Sequence, residues 1–331
     1  MPDDNTALNE IRLRALARAC GIDASLEFDR VVGAGQAGPG GPAVYLAGDG
    51  RALGPALRWA ASRGAPRLEL LALAAAGDLA RRAALLASGP GPIVTVWRVE
   101  GAEVSPARPA PVATPPVLPA AHWALAGVMT EAGARPVDDH GLLVAEVAGL
   151  EVGRVVEGDH GPTIDVGVGQ ADRELSQLIH HDDDPGQGLR RVIGAVAAHR
   201  RSGSHHPLTR LARQRWLRSV VVDDPSLVGA ERLDPLVPLR PRRHLDPRQP
   251  SAAAGHRADG TPLVVVAAAG IDLDLVPEAA DYRQRWNPEA ELLLVMPERD
   301  VTLSSGLVDR VPRCRAEAVA EPWAAPGGPR R

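Results

Sequence analysis

Short apolar runs alternate with helix-length segments near the start of the chain, and this alternation restricts the fold more than any other feature. The apolar runs are Ala43–Ala47, Leu68–Ala74 and Ile93–Val99. Between them, Ala52–Ser62 and Asp78–Ala87 have the length and composition of helices. Strands that alternate with helices form parallel sheets with right-handed crossovers. The sequence therefore predicts an α/β protein whose residues 1–104 form a Rossmann-like domain with a parallel sheet.

The same order of strands and helices returns near the end of the chain. The predicted strand, helix, strand, short helix and strand are Leu263–Ala269, Leu275–Trp286, Glu291–Met296, Ser304–Val311 and Arg315–Ala320. We therefore expect a terminal βαβαβ segment in the C-terminal region.

Proline-rich and β-like segments separate these two regions. Ser105–Pro119 contains six prolines. Because proline lacks a backbone N–H, the segment is predicted to hold neither a sheet ladder nor a helix and to be an extended linker. Short turns separate the runs Leu142–Val147, Leu150–Val156 and Thr163–Gly169, which predicts an antiparallel β-meander. Glu231–Pro250 is rich in proline and arginine and is predicted to be a connector. The predicted organisation is a domain at 1–104, a linker at 105–119, an α/β domain at 120–322 and a disordered tail at 323–331.

The chain contains no lysine, and all 37 of its basic residues are arginine. This excludes lysine-dependent sites such as a Walker-type phosphate loop, a Schiff base and a Ser–Lys dyad. Gly33–Gly38 matches the spacing G-x-G-x-x-G, but Pro39–Pro42 follows where a helix N-terminus would have to hold the pyrophosphate. We therefore predict a loop at this motif and no nucleotide cofactor.

The N-terminus and the hydropathy pattern predict a cytoplasmic protein. The first residues have neither the basic region nor the apolar run of a signal peptide. No apolar run approaches the roughly 20 residues that a membrane helix needs, so no membrane partner is predicted. Cys20 and Cys314 lie far apart in the sequence and are interpreted as unpaired thiols.

Acidic residues lie on neighbouring runs of the predicted meander. They are Glu146, Glu151 and Asp165. If two of these carboxylates face each other, they could hold Mg²⁺, which prefers hard oxygen ligands together with substrate phosphate. The alternative is the solvent-exposed face of a half-buried sheet, where alternation places polar residues in any case.

A strongly basic segment follows the meander. Pro185–Val222 contains eight arginines and no acidic residue. Two helices are predicted within it: Gly188–Arg201, whose apolar residues form one stripe with a 3.6-residue period, and a second helix from Pro207 to about Val222. The positive field of these arginines would suit phosphate contacts, although the net charge of −4 means that any nucleic-acid role depends on local charge. The alternative is internal pairing, because Glu131–Asp184 contains 13 acidic residues. The candidate binding residues are Arg190, Arg191, Arg200, Arg201, Arg210 and Arg213.

Three weaker signals have ordinary structural explanations. Gly167–Asp172 has the position of a phosphate-binding turn, but the charge of Asp172 favours a tight turn with a helix cap. His180–Asp184 has metal-binding residue types, but consecutive residues do not readily converge on one ion, so a solvated helix end is favoured. Acids at predicted strand ends mark the edge where α/β sheets bind ligands, although most such acids are helix caps or loop residues. These acids are Asp49, Asp272, Asp274, Glu298 and Asp300.

The segments Gly149–Val156, Ile164–Glu174 and His206–Arg218 resemble those of a family of uncharacterised actinobacterial proteins. This resemblance covers most of the chain and implies a cytoplasmic bacterial protein, without assigning catalytic residues. Residues 120–201 also resemble the restriction-endonuclease-like fold in the order of their elements. That resemblance implies that Glu151 and Asp165 would be the metal carboxylates, with Gly167 standing where that fold has a lysine.

Two hypotheses follow from the sequence. The first is a nucleic-acid-binding protein. This hypothesis leaves open whether the protein is also a degenerate metal-dependent nuclease, in which case Glu151 and Asp165 would be the catalytic and Mg²⁺-binding residues. The second is a non-catalytic scaffold or protein-interaction module, whose arginines are neutralised within the chain. Whether the protein is an enzyme stays open at this point.

Overall fold

A computed structural model describes residues 4–22, 25–29, 32–169, 172–173, 185–242 and 249–324. The chain divides into two compact units. The first unit consists of residues 1–112, 271–285 and 302–315, and the second consists of residues 113–270, 286–301 and 316–331. This division differs from the predicted continuous domain at 120–322, because residues 271–285 and 302–315 group with the N-terminal residues.

The helices and strands follow one another closely along the chain. The helices are α1 (Asp4–Ala19), α2 (Leu53–Ser62), α3 (Ala76–Leu85), α4 (Ala120–Trp123), α5 (Ala126–Ala132), α6 (Pro185–His199), α7 (Arg213–Asp223), α8 (Leu275–Trp286) and α9 (Glu298–Ser304). The strands are β1 (Glu27–Asp29), β2 (Ala34–Gln36), β3 (Ala43–Ala47), β4 (Arg67–Ala72), β5 (Ile93–Glu100), β6 (Glu103–Pro106), β7 (Arg135–Asp138), β8 (Leu143–Val147), β9 (Leu150–Gly158), β10 (Gly161–Val166), β11 (Arg232–Pro235), β12 (Ser251–His256), β13 (Pro262–Ala267), β14 (Glu291–Met296) and β15 (Cys314–Ala318). Within the described ranges, no helix combines the length and the apolar character that a membrane span requires.

The first unit contains a six-stranded sheet in the order β1-β2-β3-β4-β5-β6. The central strands β3, β4 and β5 are parallel, and the flanking pairs are antiparallel. The predicted α/β class and the parallel sheet are therefore confirmed. Helix α1 packs on this sheet through Leu13 and Leu16, which share a core cluster with Val44, Leu71 and Val99.

The segment predicted as a linker begins inside this sheet. Ser105 and Pro106 pair with Arg98 and Trp97 in the antiparallel β5–β6 ladder, so the prediction that the segment cannot hold a ladder is wrong for these two residues. Pro106 is the last residue of an edge strand, where a missing N–H is tolerated. The chain then continues along the unit, with the Ala110 amide donating to the Gly77 carbonyl at 3.0 Å.

The second unit contains the predicted meander. Strands β7, β8, β9 and β10 form an antiparallel sheet in sequential order, which confirms the predicted topology. Helix α6 packs on it through Leu189 and Val196, which share a core cluster with Leu150, Val152 and Ile164. The apolar stripe predicted for this helix therefore faces the core.

A second sheet of this region has the order β11-β12-β13-β14-β15. Strands β13 and β14 are parallel, whereas β11, β12 and β13 are antiparallel neighbours. Strand β11 lies within the predicted connector Glu231–Pro250, and that part of the prediction is wrong. The ladder with β12 supplies its hydrogen bonds, and β12 itself is a short alanine-rich strand whose pattern gives little sequence signal.

The structure also corrects the predictions for the helix from Pro207 to Val222 and for the C-terminal tail. The helix expected from Pro207 to Val222 is interrupted, because Pro207–Arg210 is a 3₁₀ turn and α7 starts only at Arg213. Trp323 belongs to the predicted disordered tail, but it is buried and its ring lies 5.9 Å from that of Trp216. Burial of a large aromatic ring gives this end of the described chain a fixed place in the core.

Candidate anion-binding site

The two predicted catalytic carboxylates, Glu151 and Asp165, both contact Arg173 and form ion pairs with guanidinium groups. Asp165 lies opposite Arg154 in the β9–β10 register. Arg173 places its Nε 3.2 Å from Asp165 Oδ2 and its Nη1 3.3 Å from Glu151 Oε1. Arg154 Nη2 lies 2.6 Å from the same Glu151 oxygen. Both carboxylates that the sequence predicts to bind Mg²⁺ therefore form ion pairs with arginines of the chain.

The remaining predicted acid of the meander, Glu146, is buried beneath helix α7. It pairs with Arg218 and with Arg215, whose Nη1 lies 3.4 Å from Glu146 Oε1, and Arg242 Nη1 is 3.8 Å away. Burial alone would raise the pKa of Glu146, but the charges of Arg218, Arg215 and Arg242 lower it to about 2. Gly149 allows this approach of the helix, since a Cβ there would lie 2.3 Å from the Arg215 carbonyl carbon. Arg215 and Arg218 are therefore two of the eight arginines whose charge is balanced within the described part of the chain.

Arg200 was a candidate binding residue, and its position corrects that prediction. Its buried guanidinium donates to the carbonyls of Ala148 at 2.8 Å, Leu208 at 2.7 Å and Leu211 at 2.9 Å. It also stacks on Trp216, with 4.3 Å between the guanidinium carbon and the ring centroid. Leu208 and Leu211 belong to the 3₁₀ turn and the extended residue after it, so Arg200 binds the segment that interrupts the predicted helix before α7. Arg200 positions the loop and is not available to a ligand.

The other candidate arginines stay near the surface. Arg190, Arg191, Arg201 and Arg210 are exposed, and Arg213 is half-buried. Arg190, Arg201 and Arg210 form no ion pair within the part of the chain that the structure describes. Arg213 lies over the Trp323 ring at 4.8 Å and donates through Nε to the Thr209 carbonyl at 3.3 Å.

Two of these arginines line a cavity of about 340 Å³ in the second unit. Arg210 and Arg213 line it together with Arg299, at the start of α9. Ala269 and Gly270, which follow β13, also line it. The cavity therefore lies beyond the carboxyl ends of the parallel strands β13 and β14, which is where open α/β sheets bind ligands.

Helix α7 adds a second positive contribution to this cavity. Its N-cap residue is Ala212, whose methyl side chain cannot accept a hydrogen bond from the first amides, and its first turn contains no acidic residue. The first residues of the helix, Arg213 and Gln214, line the cavity. The amide groups of a helix N-terminus carry a partial positive charge that favours an anion.

The charges around the cavity are only partly balanced. Arg299 pairs with Glu321 at 3.1 Å and lies 3.8 Å from Asp300. Asp300 Oδ2 in turn accepts the Gly270 amide at 2.7 Å. Burial lowers the pKa of Arg213, the charges of Arg299 and Arg210 lower it further, and Glu321 and Asp300 raise it, so Arg213 experiences repulsion from two like charges that is only partly offset. An anion placed between the guanidiniums would relieve that repulsion.

Sequence reasoning found part of this site. Arg210 and Arg213 were predicted binding residues, whereas Arg299 was missed. A signal for it existed, because Glu298 and Asp300, which flank it, were noted at the end of a predicted strand. The sequence does not show that Arg299 and Arg213 line the same cavity, because the two residues are 86 positions apart.

The acids at the strand ends of the first unit belong to an ion-pair network. Arg51 binds Asp272 at 2.7 Å and Glu278 at 2.9 Å. Asp281 binds Arg81 and Arg82 at 2.8 and 2.7 Å. Asp274 instead accepts the amide of Gly54, near the start of α2, at 2.9 Å. These acids fix neighbouring elements of the unit, as caps and ion pairs do.

Three sequence motifs remain: Gly33–Gly38, the turn that ends at Asp172, and His180–Asp184. Gly33–Gly38 contains β2, which lies between β1 and β3 and pairs antiparallel with both, so the predicted loop is corrected to a short strand followed by a turn. Asp172 Oδ2 accepts the Val168 amide at 2.7 Å, as in a tight turn. His180–Asp184 lies outside the described residues.

Comparisons with known proteins give no family assignment. No family model matches the chain, and neither a curated protein nor a solved structure matches it significantly.

Proposed function

We propose that this protein binds nucleic acid through arginine–phosphate contacts, with the cavity formed by Arg210, Arg213 and Arg299 as the anchor. The observation that supports it is the convergence of three guanidiniums from two distant segments on one concave surface. Guanidinium groups form charge-assisted, bidentate hydrogen bonds with phosphate oxygens.

Exposed arginines elsewhere in the same acid-free segment supply further positive charge. Arg190 and Arg201 are exposed, and no acidic residue occurs between Pro185 and Val222. A polyanion that neutralises several arginines releases counterions, and this release makes a large contribution to its affinity. Ordinary phosphodiester backbones, rather than particular base sequences, are therefore the proposed ligand.

The proposal is one of binding and not of hydrolysis. Glu151 and Asp165, the carboxylates that a metal-dependent nuclease would need, are neutralised by Arg154 and Arg173. A divalent cation would have to displace Arg173 before it could bind there. The geometry therefore supports the nucleic-acid part of the hypothesis without a catalytic step.

Salt dependence provides the direct test. The full chain should bind a labelled oligonucleotide in a fluorescence polarisation titration, with an affinity that falls steeply as salt rises. Replacing Arg210 and Arg299 together with Gln should weaken binding roughly 100-fold, since each charge-assisted hydrogen bond contributes about 1.5–3 kcal/mol. The slope of log affinity against log salt should decrease by about 2.

Arg232 provides a matched control, because it is an exposed arginine of the same unit that pairs with Asp234 away from the cavity. Arg232→Gln should leave affinity and slope nearly unchanged. Absent or salt-independent binding by the natural chain would contradict the proposal and favour the protein-interaction hypothesis.

A further inference from the structure

Resting on the proposed function, we infer that the cavity receives a terminal phosphate monoester of the nucleic acid, in preference to an internal phosphodiester. The cavity volume of about 340 Å³ is that of a small-ligand site, for which roughly 300–1,000 Å³ is usual. An internal diester carries a continuous strand on both sides of the phosphorus atom. A terminal group needs to enter the cavity from one side only.

The charge of the cavity also favours a monoester. An internal diester carries one negative charge, whereas a phosphate monoester carries about −1.5 to −2 at neutral pH. Arg210, Arg213 and Arg299 line one cavity, and the charges of Arg299 and Arg210 both repel that of Arg213. The more highly charged group relieves more of this repulsion and offers three terminal oxygens to the guanidiniums.

The acids near the cavity allow a test in which a substitution should strengthen binding, in addition to the arginine substitutions that should weaken it. Asp300 is committed to the Gly270 amide at 2.7 Å. Glu321 pairs with Arg299 at 3.1 Å, so it would compete with an incoming phosphate for this guanidinium. Removing the Glu321 charge should therefore strengthen binding of a terminal phosphate, whereas a purely structural pair would give weaker binding or a less stable protein.

The experiment compares oligonucleotides of one sequence that end in a 5′-phosphate, a 3′-phosphate or hydroxyl groups at both ends. Fluorescence polarisation with the full chain should show at least one phosphorylated end binding about 10-fold more tightly than the hydroxyl form, equivalent to about 1.4 kcal/mol. Arg299→Gln should abolish this preference, and Glu321→Gln should increase it. Inorganic phosphate should compete more effectively with the phosphorylated oligonucleotide than with the hydroxyl form.

The possible results separate the inference from the function on which it rests. Equal, salt-dependent binding of all three oligonucleotides overturns the inference and leaves the proposed function in place. No binding of any oligonucleotide overturns both. A preference that survives in Arg299→Gln, while Arg232→Gln behaves like the natural chain, places the terminal phosphate elsewhere and also overturns the inference.

Discussion

Replacing Glu146 with Gln should lower the free energy of unfolding by about 3–5 kcal/mol, the usual cost of removing one partner from a buried ion pair. Glu146 and Arg218 are both almost completely buried, with 1% of each side chain exposed. The substitution would leave Arg218 and Arg215 as buried cations without their central counterion. Chemical denaturation at neutral pH, followed by tryptophan fluorescence, measures this difference because Trp216 lies in the same helix as Arg215 and Arg218.

Acid should reproduce the effect in the natural protein. The folded-state pKa of Glu146 is about 2, below its ordinary value of 4.5. Its ionisation therefore stabilises the fold above about pH 4.5, and this stabilisation is lost as the pH falls toward 2. Glu146→Gln should lack this part of the acid transition.

Glu131 offers a control in the same unit, since it is exposed and forms no ion pair with the described residues. Glu131→Gln should change stability by less than about 0.5 kcal/mol, as surface substitutions usually do. If Glu146→Gln proved as stable as Glu131→Gln, the central role of Glu146 in neutralising α7 would be refuted.

At alkaline pH, the Asp274→Asn variant should be more stable than the natural chain. Burial is the largest cause that raises the pKa of Asp274 from 3.8 to about 7, and Glu278 and Asp272 raise it further. The Gly54 amide and Arg51 act in the opposite direction. Asn keeps an oxygen that can accept the Gly54 amide but removes the buried charge. Space is restricted here, since a Cβ on Gly54 would lie 1.8 Å from the Leu273 carbonyl oxygen.

The sign of the pH dependence follows from the raised pKa. Below about pH 4 both the folded and the unfolded chain bind the proton, so the raised pKa costs no stability. Between 3.8 and about 7 the folded chain holds a proton that the unfolded chain releases, so stability falls as the pH rises. Above pH 7 the difference between Asp274→Asn and the natural chain should reach about 2–4 kcal/mol, at roughly 1.4 kcal/mol per pKa unit.

Denaturation curves across this pH range would measure the difference. Glu103→Gln serves as the control, because Glu103 is an exposed acid of the same unit and forms no ion pair with the described residues. Its stability should follow that of the natural chain at every pH. A pH dependence that persisted unchanged in Asp274→Asn would show that Asp274 is not the group responsible.

The sequence determined those parts of the fold that depend on local periodicity. The apolar runs around Val44, Leu70 and Val96 form parallel strands, and the runs around Val144, Val152 and Ile164 form the meander. In each case the side-chain pattern of a single segment specifies what that segment buries. Elements with weak patterns, such as the alanine-rich strand β12, depend on ladder partners and could not be predicted in this way.

Only the tertiary structure decided which charges are neutralised. In the sequence, Arg200, Arg210 and Arg218 appear equivalent, since all lie in one acid-free segment. In the fold, Arg218 pairs with Glu146, Arg200 binds backbone carbonyls, and Arg210 lines a cavity together with Arg299. The reason is physical, because the free energy of a charge depends on its burial and on the groups within a few ångströms, and contacts between distant segments set both.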